Sequence, residues 1–237
     1  MPLLAARALS VLALLAWTLT AHGASLSVAP TRVELGPAER SAVVTLRNDS
    51  TETVVVQVQT FAWPRTPATA DLEPTRELIA VPPVFALAGN AKQIIRVALR
   101  GAPPASTEQA YRLLITEVPG GGAAGTGVRF ALRLSLPVFV TPADAMARPV
   151  WSLGLDNGRS VLRLVNEGAA HLHIKRLTIR SASGPEPVQT IDAAVYLLPG
   201  QEQAWPLSDR ARAQSTLQLE AESNLGPIEA SLVLPQG

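Results

Sequence analysis

The stretch "GVRFALRLSLPVFV", Gly127–Val140, alternates apolar and polar residues along most of its length. Its even positions are Val128, Phe130, Leu132, Leu134, Leu136 and Val138, and its odd positions begin Arg129, Ala131, Arg133 and Ser135. Because successive side chains of a strand point to opposite faces, the stretch predicts a β-strand with one apolar face. At roughly 3.3 Å per residue it would reach about 46 Å, more than twice the length of a common strand.

Shorter stretches with the same alternation precede it: "SLSVAPTRVEL", "SAVVTLRN", "TVVVQVQTFAW", "KQIIRVALR" and "AYRLLITEV". They are rich in Val, Ile and Thr, and segments with Gly, Pro, Asn and Ser separate them, as is typical of strands joined by turns. About seven short strands within about 115 residues predict an antiparallel sandwich of the immunoglobulin type.

The alternation stops at "TPADAMARP", residues 141–149, and then resumes in "VWSLGL", "SVLRLVN", "LHIKRLTIRS", "VQTIDAAVYL", "STLQLEAE" and "IEASLVL". We interpret the interruption as a linker. The chain is therefore predicted to be all-β, with two immunoglobulin-like sandwich domains in tandem, residues 24–142 and 143–237.

The N-terminus has the pattern of a cleavable secretory signal. Arg7 precedes an apolar run, Leu9–Leu19, and the small residues Ala21 and Gly23 follow it. This order predicts a signal peptide at residues 1–23 and an exported protein. The apolar run is too short for a comfortable membrane span, so we expect no direct membrane insertion. The chain has no cysteine, so its cores must be stable without disulfides.

Several functional classes are disfavoured. A formal net charge of +1 gives no polybasic surface for nucleic acid. "GGGAAG" at 120–125 has the letters of a dinucleotide motif, but a strand follows it where that motif needs a helix. His171 and His173 share a strand face without a third patterned ligand, so we expect no metal and no cofactor. No hydrolase or nucleotide motif is present, which argues against an enzyme. Asn48-Asp49-Ser50 is a formal glycosylation sequon that we interpret as a turn.

Five segments together resemble the periplasmic pilus-assembly chaperones of chaperone–usher systems: "SLSVAPTRVEL", "RELIAVPPVFAL", "KQIIRVALR", "EQAYRLLITEVP" and "LRLSLPVFVTP". The resemblance covers most of 25–142, and "LPVFV" and "YRLLITEVP" are more similar to the archaic, spore-coat-like branch. It implies two sandwiches angled about a cleft, in a periplasmic protein that binds, folds and caps pilus, fimbrial or coat subunits. It also implies delivery of those subunits to an outer-membrane usher.

The resemblance identifies Gly127–Val140 as the long G strand that such a chaperone lends to a subunit lacking its last strand. The side chains implied to enter the subunit groove are Val128, Phe130, Leu132, Leu134 and Leu136. The alternative is that the strand serves only its own core. An exposed strand edge also allows self-association of the free protein.

Members of this family hold the subunit's C-terminal carboxylate with two basic residues in the cleft. Arg32, in "PTRVEL", matches the first of them. The second is a lysine in the well-studied branch, and the matching position here is Pro137. Arg112 is a candidate substitute, because a hairpin folded about residues 119–127 would place it near Leu134.

Arg96 and Arg133 remain open as further candidates for that second position, although a salt-bridged or solvated role is favoured for both. The turn "VPPVF" resembles one that contains a cis proline in the family, so we predict one cis bond at Pro82 or Pro83. Glu108 matches one member of an interdomain ion network, whose other members are replaced by Thr141 and approximately Asn224. We therefore expect the domain angle to be held differently or more loosely.

Three other classes of protein are considered. A secreted adhesin or carbohydrate-binding sandwich would need exposed aromatic residues, and only 4% of the chain is aromatic. A pilus subunit would lack a complete final strand and carry an N-terminal donor extension, whereas the first domain predicted here has its last strand and is followed by a second domain. A periplasmic hydrolase is disfavoured because the sequence contains no hydrolase motif. The sequence favours a chaperone.

Overall fold

The computed structural model describes residues 26–64, 72–119 and 131–234, and within them the chain forms seventeen strands and one short helix. The strands are β1 (Leu26–Ala29), β2 (Val33–Leu35), β3 (Ser41–Asn48), β4 (Val54–Ala62), β5 (Glu73–Pro74), β6 (Leu78–Val81), β7 (Val84–Leu87), β8 (Lys92–Leu99), β9 (Gln109–Val118), β10 (Arg133–Val140), β11 (Pro149–Asp156), β12 (Arg159–Asn166), β13 (Leu172–Ser181), β14 (Pro187–Leu197), β15 (Glu202–Pro206), β16 (Thr216–Ser223) and β17 (Gly226–Val233), and the helix is α1 (Asp209–Arg212). The predicted signal peptide, the "GGGAAG" segment and the donor positions Val128 and Phe130 lie outside the described residues.

The first sandwich packs two sheets against each other. One has the strand order β1-β3-β8-β6, and the other has the order β2-β10-β9-β4-β5, with β7 also paired to β4. Alternation along the strands builds the core between them: Ile95, Val97 and Leu99 of β8 are buried, whereas Ile94 and Arg96 are exposed. Each buried large aliphatic side chain contributes about 1.5–3 kcal/mol, which stabilises the sandwich without disulfides.

The second sandwich is smaller and follows the same logic. Its sheets have the orders β11-β12-β15 and β14-β13-β16-β17. In β16 the side chains of Leu217, Leu219 and Ala221 are buried, and Gln218 between them is exposed. The all-β, two-sandwich prediction is thus confirmed. Among the described residues, no helix has the length and apolar character needed to cross a membrane.

Within the described residues the long strand begins at Arg133, and Ala131 and Leu132 are not part of it. The predicted start at Gly127 lies outside the described residues. The hairpin ladder reaches Leu132, whose carbonyl accepts a hydrogen bond of 2.8 Å from the N–H of Glu117. Its partner β9 ends at Val118 because the next residue, Pro119, has no N–H to donate.

A buried asparagine closes an equivalent turn in each sandwich. The Asn48 side chain donates to the carbonyls of Glu52 and Leu87, at 2.7 and 3.1 Å, and accepts from the N–H of Ser50. Asn166, at the end of β12, likewise donates to two carbonyls and accepts from two N–H groups. Both side chains are fully buried. The Asn48-Asp49-Ser50 sequence is therefore a turn, as predicted.

Two peptide bonds before proline are cis. One is Val81–Pro82, which confirms the prediction for "VPPVF" and assigns the cis bond to Pro82 rather than Pro83. The other is Ala29–Pro30, which the sequence analysis missed. It lies where the chain leaves β1, in the four-stranded sheet, and crosses to β2, which runs parallel to β10 in the six-stranded sheet.

Candidate functional site

Arg32, Pro137 and Arg112 form a row across three neighbouring strands. The register of the β9–β10 hairpin pairs Pro137 directly with Arg112. On the other side of β10, Val138 pairs with Val33, so Arg32 lies next to Pro137 at the entry to β2. Side chains that are level with each other on adjacent strands share a face, and strands are about 4.8 Å apart. The two arginines therefore face the same side, with backbones about 10 Å apart.

This register corrects the predicted position of Arg112, which lies opposite Pro137 and not Leu134. Leu134 pairs with Ile115, and Leu136 pairs with Leu113. β9 ends at Val118 and β10 begins at Arg133, and residues 120–130 between them lie outside the described residues. Apolar side chains on both strands fix the register because they must meet in the same core.

The Arg112 guanidinium stacks on an aromatic ring. Its central carbon lies 3.6 Å from the ring centre of Trp63, which is a close cation–π contact. Burial lowers the pKa of Arg112 from its ordinary value, and Tyr196 of the second sandwich partly opposes that effect. Arginine remains charged in proteins, so Arg112 is a positioned, half-buried cation.

Arg32 forms an ion pair with Glu34, with 2.8 Å between Nε and Oε1. The two side chains are 35% and 57% exposed, and exposed pairs of this kind contribute only about 0–1 kcal/mol. The contact orients the guanidinium at little energetic cost. A stronger, bidentate carboxylate partner can therefore replace Glu34.

The edge of β10 beside this row is free of a strand partner in the described residues. Since Glu117 bonds to Leu132, the alternation of an antiparallel ladder directs Leu134, Leu136 and Val138 toward β9. The backbone groups of Arg133, Ser135 and Pro137 point away from β9, and β2 covers that side only from Val138 onward. The N–H groups of Arg133 and Ser135 are therefore open to another strand, and Pro137, which has no N–H, ends this edge.

The predicted donor side chains that the structure describes differ in exposure. Leu132 and Leu134 are half-buried, and Leu134 packs against the first core. Leu136 is 3% exposed and belongs to that core, so it has no surface to lend. Leu136 therefore packs in the core of its own sandwich and is not available to a subunit.

The two remaining arginine candidates lie apart from the row. Arg96 is on β8, in the opposite sheet of the first sandwich, where it pairs with Val43 and Val81. Arg133 is on β10 but lies four residues before Pro137, at the far end of the free edge. Neither is positioned to act with Arg32 on one carboxylate.

Aromatic and apolar side chains connect the two sandwiches. Phe139 and Ala110 of the first pack with Leu198 of the second, and the half-buried rings of Trp63 and Tyr196 cover them. Trp63 and Tyr196 meet edge to face, with ring centres 6.0 Å apart. These contacts hold the cleft walls together below the arginine row.

Beside them lies a buried polar junction centred on Glu108. Its carboxylate accepts hydrogen bonds from the backbone N–H of His171 at 2.9 Å, from His171 Nδ1 at 2.9 Å and from Thr141 Oγ1 at 2.7 Å. The N–H of Glu108 donates to the carbonyl of Ala169 at 2.8 Å. Glu108 and His171 side chains are 0% and 7% exposed. The domain angle is therefore held differently from the network that the resemblance implied, as expected.

The sequence analysis missed His171 as the partner of Glu108. Its ring stacks on Phe139, with centres 3.6 Å apart and planes 8° apart. Its position just before the strongly apolar strand β13 was the available signal that His171 is buried. The pairing itself joins residues that are 63 positions apart, which no local pattern reveals.

His173, two residues further on, lies on the cleft wall. Its ring stacks on Tyr196, with centres 4.0 Å apart, and its backbone N–H donates to Asn224 Oδ1 at 2.8 Å. Arg32, Lys175 and His173 line one cavity of about 520 Å³, together with Pro30, Thr31, Glu34 and Tyr196. Among the described residues, no three His, Cys, Asp or Glu side chains gather in a way that would hold a metal ion.

Comparisons with known proteins agree on one family. The family description "Pili and flagellar-assembly chaperone, PapD N-terminal domain" matches residues 25–145. No curated protein sequence matches the chain.

Solved structures of chaperones share its fold. The complex of a chaperone and a tip adhesion subunit, CsuC–CsuE, from the archaic chaperone–usher Csu pili of Acinetobacter baumannii, has a TM-score of 0.66 at 21% identity, covering 90% of this chain and 100% of that one. The E. coli chaperone DraB has a TM-score of 0.64 at 21% identity, covering 88% and 97%. The SafB chaperone complex with the SafA pilin from Salmonella enterica has a TM-score of 0.62 at 17% identity, covering 89% and 96%.

Proposed function

Because the chain belongs to the family of pili and flagellar-assembly chaperones, we propose that it binds pilus or fimbrial subunits along the free edge of β10. Chaperones of this family are periplasmic, and the proposed role requires binding alone, without a catalytic step. A signal peptide at residues 1–23 would direct the protein to the periplasm. From there it would deliver subunits to an outer-membrane usher.

The observation that carries the proposal is the row of Arg32 and Arg112 at the closed end of an open strand edge. A subunit strand added to that edge would bond the N–H groups of Arg133 and Ser135. The pairing of the added strand with β10 would end at Pro137, because proline has no N–H to donate. The two arginines lie on either side of Pro137. A C-terminal carboxylate placed there meets cations from both sides, which fixes the register of the added strand.

The apolar half of the proposal uses side chains from the start of β10 and from the residues that precede it. Val128, Phe130, Leu132 and Leu134 would enter the subunit groove, whereas Leu136 stays in the chaperone's own core. Each large side chain buried in the groove would contribute about 1.5–3 kcal/mol before the costs of association.

A carbohydrate-binding function receives no support from the aromatic residues of the cleft. The Trp63, Phe139 and Tyr196 rings pack on one another and on the two histidines, and Trp151 packs near Trp205 in the second sandwich. Rings that stack on protein in this way do not form an open platform for a sugar.

The test is co-expression with the pilus subunits encoded nearby, followed by purification of the complex on a tag carried by the chaperone. The wild type should yield a soluble one-to-one complex. Arg32→Ala should reduce subunit recovery at least about tenfold, since a hydrogen bond to a charged group contributes about 1.5–3 kcal/mol. Thermal unfolding of the free variant should match the wild type.

The matched control is Arg96→Ala, which removes the same charge from an exposed position on the opposite sheet. It should leave subunit recovery unchanged. Equal recovery with Arg32→Ala and Arg96→Ala would refute the carboxylate anchor, and failure of the wild type with every nearby subunit would refute the chaperone function.

A further inference from the structure

Strand β13 has a β-bulge at Lys175, on the wall of the cleft that faces Arg32. The pairing with β16 skips this residue. Lys175 and Arg176 are consecutive and both exposed, between buried Ile174 and Leu177. A bulge redirects a side chain, and bulges are common next to binding sites. Here the extra residue places an ammonium group in the cleft.

The neighbouring strand is distorted at the same level. Ala194 of β14 has a φ of 44°, in the left-handed region that residues other than glycine rarely adopt. The register between the strands passes from Ile174–Val195 to Arg176–Asp192 around it. Such a conformation is unfavourable and persists only where the surroundings hold it. Strands β13 and β14 are thus both irregular at the level of Lys175, which lines the cleft.

Basic side chains from both sandwiches converge on the cavity at this point. Arg32 comes from the first sandwich, and His173 and Lys175 come from the second. The single carboxylate of the lining, Glu34, is already paired with Arg32. Among the described residues, no carboxylate pairs with Lys175 and no group bonds to the ring nitrogens of His173. The cavity therefore has unpaired donors on its second wall.

The groups that face His173 all disfavour its protonation while the cleft is empty. Burial lowers the pKa of His173 from its ordinary value, and the charges of Arg32, Lys175 and His171 lower it further. Tyr196 covers one ring face without adding a charge, and Glu34 is engaged by Arg32. A carboxylate that enters the cavity adds the missing negative charge and favours the protonated ring.

We propose that His173 and Lys175 complete the carboxylate site begun by Arg32 and Arg112, and that His173 takes up a proton from solvent as the subunit's terminal carboxylate binds. This inference rests on the proposed function. It places half of the site on the second sandwich, so the carboxylate is gripped from both walls of the cleft. It also makes subunit capture dependent on pH.

The sign of that dependence follows from proton uptake. A ring that is neutral in the free chaperone and charged in the complex strengthens binding as pH falls, by at most tenfold per pH unit for one proton. We expect the wild type to bind a subunit about fivefold or more tighter at pH 6 than at pH 8. The dissociation constant at each pH is the measurement, made by calorimetry on the full mature chaperone.

Three variants identify the groups responsible. His173→Gln should bind with little change between pH 6 and pH 8. Lys175→Gln should bind more weakly at both values and keep the pH dependence. Arg176→Gln removes the adjacent exposed charge, which pairs with Asp192 outside the cavity, and should behave as the wild type.

A second readout uses a synthetic peptide of the subunit's last ten residues, as the free acid and as the C-terminal amide. Titration of the His173 ring by NMR should show its pKa raised by the acid and unchanged by the amide. Wild-type binding that is equally pH-dependent in His173→Gln, or an acid that leaves the ring titration unchanged, would overturn the inference. Complex formation in those experiments would still support the chaperone function.

Discussion

His171 and His173 are separated by one residue and have opposite environments. His171 is buried between the sandwiches, where its ring nitrogen and its backbone N–H both reach Glu108. His173 lies on the cavity wall with cations around it and no carboxylate bonded to its ring. The same residue type is thus a structural partner at one position and a free titratable group at the next. The difference arises because the His171 ring packs between the two sandwiches, whereas the His173 ring faces the cavity.

The two histidines distinguish the buried polar junction around Glu108 from the proposed binding surface around Arg32. The Glu108 carboxylate accepts hydrogen bonds from Thr141 of the first sandwich and from His171 of the second, so it is already engaged within the protein. Arg32, by contrast, pairs with the exposed Glu34, which a stronger partner can displace. Substitutions at the junction should therefore change stability, and substitutions on the cavity wall should change binding.

The largest expected effect is that of Glu108→Ala. Removing the buried carboxylate leaves the Nδ1–H of His171, its backbone N–H and the Thr141 hydroxyl without their acceptor. Each buried donor left without an acceptor costs about 1–3 kcal/mol, and three donors lose theirs. Denaturant unfolding followed by tryptophan fluorescence measures the loss, and Glu34→Gln is the control at an exposed ion pair. A loss no larger than that of the control would show that the junction does not hold the sandwiches together.

The second prediction compares the histidines directly, with substitutions that keep an aromatic ring. His171→Phe retains the stack on Phe139 but removes one donor to Glu108, which should cost about 1–3 kcal/mol. His173→Phe retains the stack on Tyr196 and should change the free energy of unfolding by less than about 0.5 kcal/mol. Equal losses in the free energy of unfolding for the two variants would contradict the distinction between the polar junction and the binding surface.

Much of this architecture was accessible from the sequence because period-two alternation reports directly on burial. The strands from β3 to β14 follow patterns such as "SAVVTLRN" and "KQIIRVALR", and the cis proline in "VPPVF" is local. Arg32 was selected by resemblance, and the structure places it beside Pro137.

The rest depends on long-range pairing. The register of β9 and β10 brings Arg112 level with Pro137. It is set by the apolar side chains of both strands, which pack in one core although a long connection separates the strands in sequence. The partnership of Glu108 with His171 and the bulge at Lys175 arise only when both sandwiches and neighbouring strands are in place. No local spacing contains that information.

The most direct measurement of the central claim is amide hydrogen exchange of β10 in the free chaperone and in its complex with a subunit. The N–H groups of Arg133 and Ser135 point away from β9, whereas those of Leu134 and Leu136 bond to it. Strand addition should slow exchange at Arg133 and Ser135 by about a hundredfold or more, and it should leave a second-sandwich core amide such as Ile179 unchanged. A complex in which Arg133 and Ser135 exchange as fast as in the free protein would contradict the account.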